Sequence, residues 1–453
     1  MSNTCSGPDG LPPWVFRRFA DILSPAITHL FNWSLQDGYV PACFKLANIS
    51  PIPKCDKPSS VTDFRPISLL PALSKTLERI VSRLFILPSI ENKLQKSQFA
   101  FIPRPGSGTT SALTLAQHRI LKFLDPASGC VRLLSIDLAK AFDKLPHRVI
   151  LDACLNFRLP SGIIKWISSF VSGRFQRVFV NGSYSPWTSI SSGVPQGSVL
   201  GPLLFALTVD SLSPSCSNTS IIKYADDILL MHFIRSPAED QLQVEWDNLV
   251  AWSNSLCLPI NRSKCIVMDI NTNTNLRTSP ILASDNSYLK QVTSFKFLGV
   301  VFSEDLKWNE HFDYILRKAS KRIFILRNLR RSGCSAALML QSYFAFIRSL
   351  LIYSYPCFCN APDYLLRKLR KLERRVSRII GVSFSDDSSV LNAAVLSCNK
   401  LFSAVLSASS HPLRDLFDDR LSRSTRLSTS CPLRPPFAKT KRFANSFINF
   451  ANC

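Results

Sequence analysis

The sequence predicts an α/β protein of the α+β kind, followed by a separate region that is helical and basic. Three observations carry this. Short runs rich in Ile, Val and Leu, of strand length, alternate with helical-period runs through the first 300 residues. From His311 the apolar residues fall at helical spacing. Positive charge is densest there: from Val301 onward 25 Lys plus Arg face 11 Asp plus Glu, a net of +14. With 453 residues, 46% hydrophobic and 19% charged, the chain is a folded one long enough for two or three domains. Its net charge of +23 points to a polyanionic partner, nucleic acid first and an acidic membrane surface second.

Fourteen cysteines are scattered without a C-x-x-C pair or a His at ligand spacing, so neither a zinc module nor a disulfide framework is expected. Most read as buried free thiols of a reducing compartment. Ser2–Pro13 is too polar for a secretory signal. The most apolar window, Leu338–Phe358, is interrupted by Gln341 and Arg348 and reads as a core helix, so no membrane span is expected.

In chain order, a Gly-Pro turn cluster precedes a helix from Trp14 to about Gln36, with Phe16, Phe19, Ile22 and Leu23 at near-helical spacing and Gly38 as its stop. Phe44–Lys54 is extended and ends on Lys54. In Asp63-Phe64-Arg65-Pro66 the proline biases Arg65 to extended backbone. By spacing alone both cations read as solvated loop charge. A helix from Ser74 to about Leu87 presents Leu77, Ile80, Val81 and Leu84. Leu133–Leu138 is a strand delivering Asp137 at its end, a placement shared by metal ligands and helix N-caps. Phe179–Ser183 is a hairpin turning on Asn181-Gly182. In Ser192–Pro202, two glycines and a proline surround Gln196 ahead of a helix Leu203–Leu212. That backbone lets something flat come close, with a helix N-terminus facing it.

Ile221–Met231 places Asp226 and Asp227 in a tight turn between two apolar strands. Paired carboxylates there are costly unless positive charge offsets them; a polar surface turn and a metal site both account for the pattern. Ala238–Cys257 is an amphipathic helix, the strand Cys265–Ile270 follows Lys264, and Phe295–Val301 is a hairpin-like strand carrying Gly299. In residues 311–331, Phe312, Ile315, Leu316, Ala319, Ile323 and Leu326 form an apolar stripe with the cations largely off it. Residues 365–380 repeat the design, with Leu365, Leu369, Leu372, Val376 and Ile379 inside and seven Lys or Arg outside. Two such faces with few acids suit a phosphate backbone. Beyond Gly381 periodicity fades, and a weakly ordered tail or truncated module is expected.

Read together, Ile136-Asp137-Leu138-Ala139-Lys140-Ala141-Phe142-Asp143, Gly193-Val194-Pro195-Gln196-Gly197-Ser198 and Tyr224-Ala225-Asp226-Asp227 resemble the palm motifs of reverse transcriptases of non-LTR retrotransposons, of the jockey/CR type. Asp63–Ser68 and Phe297-Leu298-Gly299 resemble the flanking fingers and primer-grip motifs, and the resemblance covers about residues 5–380. It implies a right-hand polymerase: an N-terminal helical extension over 1–44, fingers and an antiparallel palm over 45–302, and a helical thumb over 303–381, with the tail at 382–453. The implied activity is RNA-directed DNA synthesis, joining a primer 3′-hydroxyl to deoxynucleoside triphosphates with two Mg²⁺ ions, or Mn²⁺ in their place. Asp137, Asp226 and Asp227 would hold the metals, Asp227 with less weight because neighbours in a strand point opposite ways. Lys54 and Arg65 would hold the triphosphate, Phe142 would exclude a 2′-hydroxyl, and Gln196-Gly197 would shape the nucleotide pocket. Lys264 would protonate the leaving pyrophosphate, and Phe297, Leu298 and Gly299 would grip the primer. RNA template and DNA primer are the implied partners, in nucleus and cytoplasm, with the family's endonuclease expected on a missing N-terminal part of a polyprotein. A catalytically inactive, nucleic-acid-binding remnant is the alternative, and a group II intron maturase-like enzyme a remoter one.

Overall fold

The short apolar runs form strands, and ten of them sort into two five-stranded sheets, one in each of two units of the chain, while four others form two-stranded pairs. The computed structural model describes residues 6–91, 93–126, 128–273, 276–283, 286–385, 388–419, 433–434 and 436–450. In chain order the described strands are β1 (Leu46–Pro53), β2 (Phe64–Leu69), β3 (Cys130–Asp137), β4 (Arg174–Val180), β5 (Ser183–Tyr184), β6 (Thr188–Ile190), β7 (Thr219–Tyr224), β8 (Asp227–Ile234), β9 (Ile266–Asn271), β10 (Lys290–Gln291), β11 (Ser294–Phe297), β12 (Val300–Ser303), β13 (Asp418–Asp419) and β14 (Leu433–Arg434). One unit gathers Met1–Ile102, Leu138–Ser213 and Asp247–Asn261; the other gathers Pro103–Asp137, Pro214–Trp246 and Arg262–Cys453. Pairing between distant strands creates this partition, which a linear reading of the chain does not express.

The first unit's sheet has the order β2-β1-β4-β5, with β6 also on β4. Only β1 and β4 pair in parallel. The β4–β5 hairpin turns on Asn181 (φ 50°) and Gly182 (φ 82°), as their sequence predicts for a two-residue turn. The N-terminal helix divides into Pro13–Arg18 and Ala20–Asp37, and Gly38 ends it in the left-handed region at φ 61°. Its expected apolar stripe is not a core face: Phe19 and Ile22 are exposed, and burial comes later, at Phe31 and Ser34. There Ser34 Oγ accepts from Trp166 Nε1 at 3.0 Å, on the helix Ser161–Val171. In the helix that begins at Ala72, Leu77 and Val81 are buried as expected but Leu84 is exposed. A π-turn over Ser82–Ile86 inserts a residue and rotates the stripe, so Ile86 and Ile90 point inward instead.

The second unit's sheet has the order β10-β9-β3-β8-β7, with β3 antiparallel to both neighbours. The ladder is mostly apolar, and among the charged residues it buries is Arg132, almost fully buried on β3. Its guanidinium donates to both Asp240 oxygens at 2.9 and 2.8 Å, to Asp269 Oδ1 at 3.1 Å and to the Ser279 carbonyl at 2.7 Å. The expected stripes form on the helices Asn309–Arg331 and Asp363–Ile380, except that Ile380, not Ile379, is the last buried residue of the second. The two helices lie side by side, joined by Tyr364 Oη to Asn309 Oδ1 at 2.6 Å and by Arg330 to the Arg378 and Ile379 carbonyls at 2.9 Å each.

Beyond Gly381 the chain is more regular than its sequence suggests. Val390–Ser407 is a helix that buries Val390, Ala394, Cys398 and Val405. By length and composition it is the one described helix apolar enough to cross a membrane, whereas Leu338–Phe358 breaks into short helical pieces. Of the expected weak tail, residues 386–387, 420–432, 435 and 451–453 lie outside the described residues. Among the described residues all eleven cysteines are free thiols.

Removing the guanidinium leaves two largely buried carboxylates without their cation. Arg132→Ala is expected to cost about 3–5 kcal/mol in urea unfolding, whereas Arg148→Ala, at an exposed ion pair, changes it by less than about 1 kcal/mol.

Candidate active site

The β3–β8 register sets Asp137 directly opposite Asp227. Directly paired residues of an antiparallel ladder share a sheet face, so both carboxylates project from the same side. Tyr224 pairs with Asp227 across the β7–β8 hairpin, which leaves Ala225 and Asp226 as its two-residue turn. Ala225 is buried in the left-handed region at φ 57°, a conformation that costs an L-residue about 1–2 kcal/mol. The expected turn thus holds Asp226 only. Asp227 is the first residue of β8, and because Asp226 lies outside the strand, alternation does not turn Asp227 away from Asp137.

Carboxylates crowd at this end of the sheet. Partial desolvation, then the Asp226 and Asp137 carboxylates, push the Asp227 carboxyl up to about 6, with Lys296 pulling the other way. Lys264, in the single turn Arg262–Lys264, brings Nζ to 3.6 Å from Asp137 Oδ2 in a solvent-exposed pair. Among the described residues no three His, Cys, Asp or Glu side chains converge as a closed metal-binding group. The donor set still fits a hard divalent cation: three carboxylates on adjoining positions, one of them pushed up by desolvation and by the charge of the others.

Phe297 is buried at the end of β11, and Leu298 (φ 45°) with Gly299 (φ 88°) makes the two-residue turn into β12. Tyr353 holds that turn. Its hydroxyl donates to the Leu298 carbonyl at 2.9 Å, and its ring lies 3.0 Å from where a Cβ on Gly299 would stand. Lys296, on the solvent side of β11, lies beside the Tyr314 ring, and Lys318 Nζ donates to the Tyr314 hydroxyl at 2.7 Å.

The first unit assembles the other expected residues. Ile52 pairs with Arg65, and the Lys54 amide donates to the Asp63 carbonyl at 2.7 Å, which carries the ladder one step further. Alternation then puts Lys54 and Arg65 on one face, both exposed. The Lys54 ammonium donates to the Thr62 carbonyl at 2.8 Å. Asp63 secures the loop through the Ser59 and Ser60 amides, at 2.9 and 3.0 Å, which hold its carboxyl below the usual range.

Phe142 stacks on Phe205 (4.6 Å between centroids) and meets the edge of Phe101. The loop after Ser192 docks on the same segment: Val194 N donates to the Phe142 carbonyl and Gly193 N to the Leu145 carbonyl, both at 2.8 Å. Gln196 Nε2 donates to Asp143 Oδ1 at 2.7 Å, and the Gln196 carbonyl accepts from Ser68 N at 2.6 Å. Gly197, at φ 124°, passes so close to Ser68 that a Cβ would stand 2.6 Å from its carbonyl oxygen.

The helix that follows is Leu200–Val209, and its N-terminus is not open to a ligand. Glu78, fully buried, accepts from the Val199 and Leu200 amides at 2.7 and 3.1 Å, and Ser198 Oγ accepts from Gly201 N at 2.9 Å. Burial pushes the Glu78 carboxyl up against these bonds. Lys296, Tyr353, Asp143 and Glu78 thus join the expected residues. Each is placed by long-range pairing; only Asp143 and Lys296 had a sequence signal, as neighbours of motif residues.

Residues 52–302 match the family model described as reverse transcriptase (RNA-dependent DNA polymerase). The chain is 29% identical over 371 residues to the RNA-directed DNA polymerase from mobile element jockey of Drosophila funebris, covering 78% of this chain and 39% of that protein. It is 29% identical over 370 residues to the probable RNA-directed DNA polymerase from transposon X-element of Drosophila melanogaster, with the same coverage of 78% and 39%. The chain therefore spans about two fifths of the length of these curated relatives. Among solved structures, apo telomerase from Candida Tropicalis aligns with a TM-score of 0.44 and 12% identity, over 82% of this chain and 63% of that one. The family match takes in more than half of the chain, from before Lys54 to beyond Gly299, with the three aspartates and the Gln196-Gly197 loop inside it, and the chain belongs to the reverse transcriptase family.

Proposed function

We propose that this chain is an RNA-directed DNA polymerase that extends a DNA primer on an RNA template. The observation that carries the reading is the Asp137–Asp227 cross-strand pair with Asp226 in the adjoining turn. Asp137, Asp226 and Asp227 would hold two Mg²⁺ ions, which when bound make the primer 3′-hydroxyl a better nucleophile and offset the phosphate charge.

The chain's own residues do the positioning. Lys54 and Arg65 bind the triphosphate oxygens of the incoming nucleotide. Phe142, braced by Phe205 and Phe101, presents a rigid ring that leaves no room for a 2′-hydroxyl. Asp143 orients the Gln196 amide towards the nucleotide, and Gly197 keeps that wall low. Lys264 delivers a proton to the departing pyrophosphate. Phe297 and the Leu298-Gly299 turn set the primer end, and the exposed cations of the two long helices in a thumb over 303–381 take backbone phosphates, which positions the duplex without reading its sequence. An endonuclease on another part of a polyprotein, and action in nucleus and cytoplasm, complete the proposal.

Primer extension on an RNA template with Mg²⁺ tests it. Loss of a metal-holding carboxylate removes several kcal/mol of transition-state stabilisation, so Asp226→Ala and Asp227→Ala are each expected to slow extension by about 10³-fold or more. Wild-type extension no faster than these variants would favour the inactive nucleic-acid-binding remnant.

The raised Asp227 pKa has a stability consequence in metal-free buffer. The folded state holds its proton up to about pH 6, above the ordinary carboxylate range, so the stabilisation is complete below about pH 4 and is lost as pH rises through 6. The melting temperature of Asp227→Asn should fall less than that of wild type over this window.

A further inference from the structure

The first unit's sheet carries a second chemistry on the face that holds Lys54 and Arg65. Arg65 pairs with Ile52 and Arg177 pairs with Asn48. Paired residues share a face and each strand returns to it at every second position, so Arg177 and Phe179 of β4 lie on the Arg65 side. The Phe179 and Tyr184 rings meet at 4.7 Å between centroids. The Arg177 guanidinium lies 3.8 Å from the Tyr184 ring centre and 4.5 Å from that of Trp187. Asn48 Oδ1 fixes it by accepting from Arg177 Nε at 2.9 Å. The result is a row of planar groups, Phe179, Tyr184, Arg177 and Trp187, on a hairpin held by its Asn-Gly turn.

This row is open to solvent: Phe179, Tyr184 and Trp187 are 39%, 51% and 41% exposed. Aromatic surface left uncovered in this way marks a binding site more often than it marks ordinary exterior. The charge around it selects the occupant. From Ala153 to Val209 the chain contains no Asp or Glu, while Arg158, Lys165, Arg174 and Arg177 fall in the same stretch. Flat π-faces with an interleaved guanidinium, on a stretch of chain that carries no acid, fit nucleobases on a phosphate chain. Two strand spacings across and four residues along separate Arg65 from Arg177, about 16 Å, a span of a few nucleotides.

We propose that Phe179, Tyr184, Arg177 and Trp187 form a stacking platform for the unpaired bases of a single-stranded polynucleotide whose phosphates continue towards Arg65 and Lys54. That this strand is the template rests on the polymerase reading above; the platform itself does not.

The test uses the full chain without metal or nucleotide, so extension activity does not enter the result. Fluorescence anisotropy compares a labelled 20-nucleotide oligo(U), oligo(dT) of the same length and a blunt 20-base-pair duplex. Tyr184→Ala combined with Trp187→Ala is expected to weaken binding of the unpaired strands about tenfold, with duplex affinity and salt slope retained. Loss confined to oligo(U) identifies RNA as the occupant, and equal loss on oligo(dT) assigns the site to either strand. Unchanged affinity for both unpaired strands, in a variant that melts like wild type, overturns the proposal. So does an equal loss on the duplex, or a loss of self-association alone, which would make the face a protein interface. If the double variant melts early, Trp187→Ala alone decides: about threefold weaker binding of unpaired strands supports the platform, and no change overturns it.

Discussion

The ladder between β3 and β8 runs unbroken from Cys130 opposite Ile234 to Asp137 opposite Asp227. A slip of one position would turn the buried Arg132 away from Asp240 and Asp269 and leave its charge without them. This buried pairing pins the register, and the register forces two carboxylates to face each other at the ladder's end. Like charges in direct opposition are destabilising, and the ladder's seven other pairs hold them there. The sheet thus holds a charge conflict in place that neither aspartate could relieve by local movement of the strand.

The conflict gives the site its character. Desolvation and repulsion raise the Asp227 carboxyl, and the positive groups available, Lys264 beside Asp137 and Lys296 towards Asp227, stand at the solvent edge, where each offsets little. Buried charge elsewhere is handled differently: Arg132 is matched by two carboxylates and a carbonyl, and Glu78 by two helix amides. Where the chain needs a charge for structure it pairs it inside the protein. At Asp137 and Asp227 two carboxylates face each other at the solvent edge, where a divalent cation can add to what Lys264 and Lys296 offset.

Much of this was legible in the sequence. Asn181-Gly182 declares its hairpin, Gly38 its helix stop, and the apolar runs around Asp137 and Asp226 declare buried strands, because each signal is local. The site residues were legible as motifs, and the reverse transcriptase family followed from their order. What stayed hidden depends on register and distance. Whether the turn comprises Asp226-Asp227 or Ala225-Asp226 is decided by which residue pairs with Tyr224. The closing of the helix N-terminus after Gln196 is decided by Glu78, more than a hundred residues upstream. The helix Val390–Ser407 gives a weak signal because two of its buried positions, Ala394 and Cys398, are small, and the exposure of Leu84 follows from a π-turn that leaves no mark in apolar spacing.

The most direct measurement of the central claim is Mn²⁺ binding followed by electron paramagnetic resonance in the wild type, Asp227→Asn and Asp143→Asn chains. Charge count sets the affinity of such sites, so Asp227→Asn should bind Mn²⁺ about tenfold more weakly, while Asp143→Asn, which disturbs only the Gln196 contact, should match the wild type. Equal Mn²⁺ affinity in wild type and Asp227→Asn would contradict the account.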